Sequence, residues 1–390
     1  MSTHAAGPRQ PLRLQGRSDI ASARRIVVKI GSSSLTHPSG QLDEQRIRAI
    51  ATTVSGLITG GVQAVIVSSG AIAAALGELG LDERPRDVPL QQAAASIGQV
   101  VLAGAWSRAF AEHNLLTGQV LLTEADVIHP ETYANVRSAL ESLLELGTVP
   151  VINENDTTAT HEIRFGDNDR LAALVAQLLG ADLLVLLTDV DALYTAPPRD
   201  PGARRIDVVP DIDALEGVSI GDVGSKVGTG GMVTKLSAAH LAASTGTATM
   251  LTRADLFASA LDGAVVGTFF PAHHGRRRSR LVWLRFATRG AGTLHVDEGA
   301  AAALRSRRRS LLAVGVKEVE GAFPAGVPID IASPGGQVIA RGLVNFSSEE
   351  LRTMQGHDSA SLRETLGERY RRPAVHRDHL VLLSRPKSEP

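Results

Sequence analysis

Short runs of β-branched and apolar residues alternate with longer amphipathic stretches through most of the chain. Residues 25–31 (RIVVKIG) and 62–70 (VQAVIVSSG) are two such runs, and each stops at a glycine. Between them, residues 43–59 have the apolar spacing of an amphipathic helix. The order strand, helix, strand predicts a βαβ unit with two parallel strands.

The same alternation continues toward residue 270. Further buried strands are predicted at residues 118–122, 149–152, 182–187 and 247–251, and helices around 91–113, 131–146, 168–179 and 232–244. Strands that are apolar without interruption are covered on both faces, which favours a mostly parallel sheet between helical layers. The sequence therefore predicts an α/β fold, a three-layer sandwich, in which ligands bind beyond the carboxyl ends of the strands.

Polar and small residues follow the predicted strands at that edge. The segments are KIGSSS (29–34), VSSGA (67–71), INEND (152–156) and LTDV (187–190). Helix capping explains each one alone as well as ligand contact does, but their convergence on one edge favours a site for a phosphorylated anion. Lys29 is the most informative, because a lysine inside an apolar strand needs a partner unless it lies on an edge strand and extends its ammonium to water.

Two further segments combine glycine with charge. In GDND (166–169), Asp167, Asn168 and Asp169 are more than one helix cap needs, and the start of the following helix can receive a carboxylate or phosphate. VGTGGMVTK (227–235) has the glycines of a phosphate-binding loop but departs from the Walker pattern, and such loops before a helix also occur without a ligand. Bare backbone amides and the ammonium of Lys235 suit phosphate oxygens.

The C-terminal part of the chain differs in character. A basic segment, residues 274–280 (HGRRRSR), is followed from about residue 291 by short β-type runs with closely spaced glycine and proline. A small, mainly β domain is predicted here. The length of 390 residues also favours two domains, because it exceeds what one core usually serves.

Composition narrows the class of protein. The formal net charge of −1 points neither to nucleic acid nor to an anionic membrane, and no run reaches the length of about 18 apolar residues that a membrane span needs. The absence of cysteine excludes disulfides, thiolate zinc sites and cysteine nucleophiles. We expect a soluble, cytoplasmic protein with no metal site of its own. Residues 1–24 share features with a transit peptide, but Pro8 and Pro11 interrupt any amphipathic helix, which favours a disordered tail.

Five segments together carry a family resemblance: VVKIGSSSLT, VIVSSGAIAAALGELG, VPVINENDTTATHEIRFGDNDRLAALVA, LLVLLTDVDALYT and GTGGMVTKLSAA. In this order they resemble the amino acid kinase superfamily and, within it, the glutamate 5-kinases. TLHVDEGAAAALRSRRRSLLAVGVKEVEG resembles a PUA domain, a mainly β pseudo-barrel. The division that this implies is a tail at 1–24, a kinase domain at 25–271, a basic linker at 272–290, the PUA domain at 291–372 and a tail at 373–390.

The resemblance implies ATP-dependent phosphorylation of the γ-carboxylate of L-glutamate, the first step of proline biosynthesis, with feedback inhibition by L-proline and Mg²⁺ bound to the nucleotide. It implies catalytic roles for Lys29, Lys235 and Asp169 and glutamate binding by Ser69, Asp156 and Asn168. ATP is expected at Lys29, Thr188, Asp189, Thr229, Gly230, Gly231, Met232, Val233, Thr234 and Lys235.

Several alternatives stay open at the level of sequence. Aspartate, N-acetylglutamate, carbamate and uridylate kinases share the fold and its lysines, and fold alone does not choose the substrate. PUA domains also occur in RNA-modifying enzymes, and arginines 305 and 307–309 could meet phosphates. RNA binding is nevertheless not favoured, because this region has few aromatic residues for base stacking. A homo-oligomer, either a dimer or a tetramer, is expected.

Overall fold

The chain divides into two units, Met1–Gly275 and Arg276–Pro390. The computed structural model describes residues 9–37, 41–81, 83–128, 130–158, 168–210, 231–273, 284, 290–307 and 309–383. No helix in these ranges combines the length and the apolarity that crossing a membrane requires.

The first unit is built on a seven-stranded sheet with a short hairpin beside it. Its strands are β1 (Arg25–Ile30), β2 (Gln63–Ser68), β3 (Thr117–Leu122), β4 (Val149–Glu154), β5 (Leu183–Thr188), β6 (Leu193–Tyr194), β7 (Arg205–Ile206), β8 (Ala248–Arg253) and β9 (Thr268–Phe270). The sheet order is β3-β4-β2-β1-β5-β8-β9, and every neighbouring pair is parallel except β8 and β9. The predicted mostly parallel sheet is therefore confirmed.

Strand β1 occupies the centre of this sheet. It pairs with β2 on one side and with β5 on the other, and all six of its residues are buried. The edge-strand alternative for Lys29 is wrong, since Lys29 is 5% exposed in the middle of the sheet. Strand β2 lies on one side of β1 and β5 on the other, and this reversal of direction opens a crevice at the carboxyl ends of the strands.

Helices cover both faces of the sheet. They are α1 (Glu44–Thr59), α2 (Ala71–Leu79), α3 (Val88–Ala111), α4 (Glu124–Ile128), α5 (Pro130–Glu145), α6 (Asn168–Leu179), α7 (Met232–Thr245) and α8 (Phe257–Leu261). Helices α1 and α3 pack against the face of β1 that carries Ile26, Val28 and Ile30. Side chains alternate along a strand, so Lys29 projects from the opposite face, where α6 contacts β1 and α7 contacts α6.

Two glycines determine how β2 leads into α2. Gly70 has φ of +101°, in the left-handed region where a Cβ atom is strained. Gly98 of α3 lies so close to α2 that a Cβ atom there would stand 1.8 Å from the carbonyl oxygen of Ala71. The contact between α2 and α3 thus fixes the turn that follows Ser69.

In the described part of the second unit, a five-stranded sheet packs with three α-helices that are each at least seven residues long. The strands are β10 (Thr293–Val296), β11 (Val316–Glu320), β12 (Pro328–Ala332), β13 (Val338–Val344) and β14 (Val375–Leu382), in the order β11-β10-β12-β13-β14. The helices are α9 (Glu298–Arg307), α10 (Ser348–Met354) and α11 (Ser359–Leu366). A separate apolar core that includes Leu294, Ile331 and Phe346 holds the unit together.

The prediction of a C-terminal tail from residue 373 is wrong for residues 375–382. This segment forms β14, which pairs antiparallel with β13 and completes the sheet. Ala374 and Val375 are fully buried in the core of the second unit. The basic residues of this segment obscured the alternation that identifies a strand.

The prediction of a disordered N-terminal tail is wrong for residues 9–24. Residues Arg17–Ser22 form a 3₁₀ helix, and Leu14 and Ile20 are buried in the core of the first unit. The Arg17 guanidinium donates to the backbone carbonyls of Asp207, Val266 and Gly267. This N-terminal segment is therefore an integral part of the first unit.

Asp182 connects this segment to the sheet. Its fully buried carboxylate accepts hydrogen bonds from the Arg9 guanidinium at 2.8 and 3.0 Å and from the backbone amides of Leu12, Arg24 and Arg25 at 2.5 to 3.0 Å. Burial alone raises the pKa of Asp182. Hydrogen bonds from Arg9, Leu12 and Arg24, together with the Arg9 charge, outweigh burial and hold the pKa below its ordinary value.

We expect Asp182→Asn to lower the free energy of unfolding by about 3 kcal/mol at neutral pH, because an amide places a donor against donors and loses the charge pair with Arg9. Because the pKa of Asp182 is lowered by folding, its carboxylate stabilises the folded protein at pH values above the ordinary pKa. That stabilisation is lost as the pH falls through the lowered pKa. The deficit of the variant should therefore shrink below about pH 4. Urea unfolding across pH checks this, with Asp262→Asn at an exposed position as the control. A deficit that stays constant down to pH 2.5 would contradict the assignment.

Candidate active site

The carboxyl ends of the central strands and the first turns of two helices meet at one place. Lys29 comes from β1, Ser69 follows β2 and Asn153 belongs to β4. Asn168 and Asp169 are the first two residues of α6, and Lys235 lies in the first turn of α7. Residues far apart in the sequence thus share one site because parallel strands end on the same edge of the sheet.

Two lysines converge on one carboxylate at this site. Lys29 Nζ lies 2.7 Å from Asp169 Oδ1, and Lys235 Nζ lies 3.3 Å from Asp169 Oδ2. The Thr234 hydroxyl donates to Asp169 Oδ2 at 2.8 Å. Asp169 is 1% exposed, and both lysines are less than 10% exposed. The two ammonium groups are held on either side of one anion, which fixes both cations at the carboxyl edge of the sheet.

The charge state of Asp169 follows from these contacts. Burial by itself raises the pKa of Asp169. The charges of Lys29 and Lys235, with hydrogen bonds from Lys29 and Thr234, outweigh burial and bring the pKa to about 2. The carboxylate is therefore ionised throughout the neutral range and keeps both lysines in place.

Asn168 faces the other half of the site. Its Nδ2 donates to Ser69 Oγ at 2.8 Å and to Asn153 Oδ1 at 3.0 Å. All three side chains are at least nine-tenths buried. This half of the site contains amide and hydroxyl groups, whereas the half around Asp169 contains charges.

Asp156 lies in the turn after β4 and is half-buried. Burial raises the pKa of Asp156 to about 6, and the guanidinium of Arg84 opposes this shift. Among the residues that the structure describes, the charge of Arg84 offsets the burial of this carboxylate only in part.

The residues expected to bind a nucleotide are only partly described. Thr188 ends β5 and is buried, Asp189 beside it is exposed, and the Thr188 hydroxyl donates to Asp189 Oδ1 at 2.9 Å. Gly231 precedes α7, which begins with Met232, Val233 and Thr234. Thr229 and Gly230 lie outside the described residues. The start of α7 presents free backbone amides of the kind that bind phosphate.

Three residues near the site were missing from the sequence prediction: Gln99, Arg84 and Asn153 as a member of the Asn168 network. Gln99 accepts from Asn153 Nδ2 at 2.7 Å and is 8% exposed. One signal was available, because Gln99 lies between the buried residues Ala95 and Leu102 on the core face of α3, and a polar residue at such a position needs a partner. Asn153 could be found only through its place at the end of β4.

In the part of the chain that the structure describes, no group of three or more histidine, aspartate or glutamate side chains is arranged to hold a metal ion. The carboxylate nearest the two lysines, Asp169, is already engaged by both of them and by Thr234.

Comparison with known proteins identifies relatives for both units of the chain. The model of the amino acid kinase family matches residues 24–252, and that of the PUA domain matches residues 292–366. A glutamate 5-kinase from Bifidobacterium adolescentis is 52% identical over 374 residues, which cover 96% of this chain and 99% of the relative. A glutamate 5-kinase from Salinispora arenicola is 53% identical over 368 residues, which cover 94% of this chain and 100% of the relative.

Among solved structures, the carbamate kinase from Giardia lamblia bound to AMP-PNP is a more distant match. It covers 65% of this chain and 100% of its own, with a TM-score of 0.47 at 16% sequence identity. The relatives in sequence, rather than this structural match, decide the family.

We expect Asp156→Asn to stabilise the free protein. Between about pH 4 and pH 6 the Asp156 carboxyl keeps its proton in the folded protein but has lost it in the unfolded chain. Asp156 therefore lowers the free energy of unfolding progressively as the pH rises through that window. At pH 7.5 the variant should unfold with a free energy higher by up to about 3 kcal/mol. Urea unfolding at pH 3.5 and pH 7.5 checks this, with Asp200→Asn, at an exposed position, as the control. Equal stability of variant and parent at pH 7.5 would show that the ionised Asp156 carboxylate does not destabilise the free protein.

Proposed function

The chain belongs to the amino acid kinase family and, within it, to the glutamate 5-kinases, and from this premise we propose that it transfers the γ-phosphoryl group of ATP to the γ-carboxylate of L-glutamate. The observation that carries the proposal is the cluster of Lys29, Asp169 and Lys235 at the carboxyl edge of the sheet. The products are L-glutamyl 5-phosphate and ADP.

The reaction needs positive charge more than it needs a base. A carboxylate oxygen is already a nucleophile at neutral pH, so the γ-carboxylate forms the new P–O bond while the bond from the γ-phosphorus to the β,γ-bridging oxygen breaks. No proton is transferred, and the leaving electron pair stays on ADP. The obstacle is the approach of two anions, and Lys29 and Lys235 supply the charge that reduces it.

The two halves of the site divide the work between the substrates. Asn168 and Ser69 offer buried hydrogen-bonding groups, and Asp156 offers a carboxylate for the α-ammonium of glutamate. Asp169, directly after Asn168 in α6, holds the lysines beside the bond that is made. Glutamate therefore reaches the phosphoryl group with its γ-carboxylate when its α-ammonium is held at the far side.

ATP is proposed to bind along the other half of the sheet edge. Thr188 and Asp189 at the end of β5, together with residues 229–235 at the start of α7, would follow the nucleotide, with Lys235 and Lys29 beside its terminal phosphates. Mg²⁺, when bound, neutralises phosphate charge, and in the proposal the nucleotide brings it to the site. Both substrates are common cytoplasmic metabolites, so the proposal places the reaction in the cytoplasm.

L-Proline is the proposed feedback inhibitor, since this reaction is proposed to open proline biosynthesis. Proline carries a secondary ammonium and a carboxylate on one carbon, as glutamate does, so the groups that bind the α-carbon end of glutamate suit proline as well. Asp156 is the residue expected to serve both ligands. Asp156→Asn should accordingly weaken glutamate and proline together.

The test of the proposed activity measures ADP release and traps the acyl phosphate with hydroxylamine, using Mg-ATP and, separately, glutamate, aspartate, N-acetylglutamate and UMP. We expect turnover with glutamate. Lys29→Met and Lys235→Met should each lower kcat by about 100-fold or more, because each removes a charge beside the transferring phosphoryl group. Lys317→Met, at an exposed lysine of the second unit, serves as the matched control and should keep full activity.

Two results would count against this proposal. Turnover with another acceptor and not with glutamate would be consistent with the amino acid kinase family but would show that glutamate is not the substrate. An unchanged kcat in both lysine variants would show that Lys29 and Lys235 do not stabilise the transferring phosphoryl group, which contradicts the proposed mechanism.

A homo-oligomer is also proposed, and exposed apolar side chains support it. Leu90, Ile97 and Val100 lie on one face of α3 and are 45%, 41% and 75% exposed. Apolar stripes of this kind on a helix commonly mark contacts between subunits.

Val100→Lys should therefore shift the molar mass toward that of the monomer in light scattering, since a buried lysine without a partner opposes association. Val265→Lys serves as the control, because Val265 is 61% exposed on the same unit. A wild-type protein that is monomeric at micromolar concentration would rule this proposal out.

A further inference from the structure

A series of hydrogen-bonded amides connects α3 to the half of the site that Asn168 faces, where glutamate is proposed to bind. Gln99 Oε1 accepts from Asn153 Nδ2 at 2.7 Å, and Asn153 Oδ1 accepts from Asn168 Nδ2 at 3.0 Å. The same Asn168 nitrogen donates to Ser69 Oγ at 2.8 Å. None of these four side chains is more than 9% exposed, so water does not readily replace any of these contacts.

The direction of this series is not arbitrary. An amide offers a donor on one side and an acceptor on the other, so each amide must present its nitrogen to the oxygen of the next. If Asn168 were turned over, its oxygen would face Asn153 Oδ1 and the Ser68 carbonyl, which lies 3.3 Å from the nitrogen in the observed orientation. Turning Asn168 would also require Asn153 and Gln99 to turn, and even then the Ser68 carbonyl would oppose it. Gln99, at the far end, therefore helps to hold the direction of the whole series.

With Asn168 in this orientation, its side-chain oxygen is left without a donor. Asn168 Oδ1 is buried and has no hydrogen-bond partner among the residues that the structure describes. A buried acceptor without a donor is costly, and at a binding site it indicates that the ligand brings the donor. At neutral pH glutamate has carboxylates, which only accept hydrogen bonds, and one donor group, its α-ammonium.

We propose that Gln99 is a positioning residue for glutamate. Through Asn153 it holds the amide of Asn168 with its oxygen toward the substrate, where that oxygen receives the α-ammonium together with the Asp156 carboxylate. This inference rests on the proposed function, because it assigns a partner within the glutamate site. Gln99 itself does not touch the substrate and acts only through the orientation of Asn168.

Two variants of Gln99 separate orientation from packing. Gln99→Met keeps the length of the side chain but offers Asn153 no hydrogen-bond acceptor comparable to an amide oxygen, and Gln99→Glu keeps an oxygen as that acceptor. In Gln99→Met the KM for glutamate should rise about ten-fold, while kcat and the KM for ATP change less than about two-fold. In Gln99→Glu the KM for glutamate should return to within about three-fold of the parent value. Gln119→Met, on the exposed strand β3, is the matched control and should leave all three constants unchanged.

A binding measurement without turnover complements the kinetics. The rise in unfolding midpoint that glutamate produces in the absence of ATP should be smaller in Gln99→Met than in Gln99→Glu at the same glutamate concentration. Midpoints without glutamate show whether either variant has lost stability.

The possible results separate failure of the positioning role of Gln99 from failure of the proposed glutamate kinase activity. A parent enzyme that neither binds nor phosphorylates glutamate overturns the proposed function and this inference with it. An active parent with an unchanged KM for glutamate in Gln99→Met overturns only the positioning role. Equal losses in Gln99→Met and Gln99→Glu, with lower midpoints and altered ATP constants, also overturn it, because they would show that Gln99 serves packing alone.

Discussion

The buried ion pairs of Asp169 with Lys29 and Lys235 are the interaction on which the site depends. Each lysine belongs to a different element, one at the centre of the sheet and one in the first turn of α7, and Asp169 lies between them in the first turn of α6. Desolvating three charges is unfavourable, and only close mutual contact offsets that penalty. Helix α6 must therefore keep its position over β1, and α7 its position beside α6, for the site to exist at all.

The rest of the fold serves this requirement. Strand β1 has a strand on each side, and the N-terminal segment is fastened through Asp182 to the opposite end of the sheet from the site. The close approach of α3 to α2 at Gly98 holds the turn after β2, and α3 also supplies Gln99, which accepts from the amide of Asn153. One helix thus supports the half of the site that Asn168 faces in two ways.

Much of this could be predicted from the sequence, for identifiable reasons. Strand ends of a parallel sheet meet at one edge, so the convergence of Lys29 with the segments after β2, β4 and β5 could be predicted from local patterns. The places of Asn168 and Asp169 beside them were expected from the family resemblance. The contact of Gln99 with Asn153 spans 54 positions and depends on the angle at which α3 crosses the sheet, which no local pattern encodes. The N-terminal segment was misjudged because single buried side chains, Leu14 and Ile20, anchor it within an otherwise polar stretch.

The two halves of the site differ because Asn168 and Asp169 are neighbours at the start of one helix. Successive residues of a helix point about 100° apart, so one first turn can face two directions with two different chemistries. Asn168 joins a network of amides and hydroxyls, and Asp169 joins two ammonium groups. In the proposed reaction Asn168 helps to hold glutamate, and Asp169 holds the two lysines that offset the phosphate charge, so one helix start serves both substrates. Exchange of the two residues would put the charge among amides and leave the lysines without an anion, so their order is as necessary as their identity.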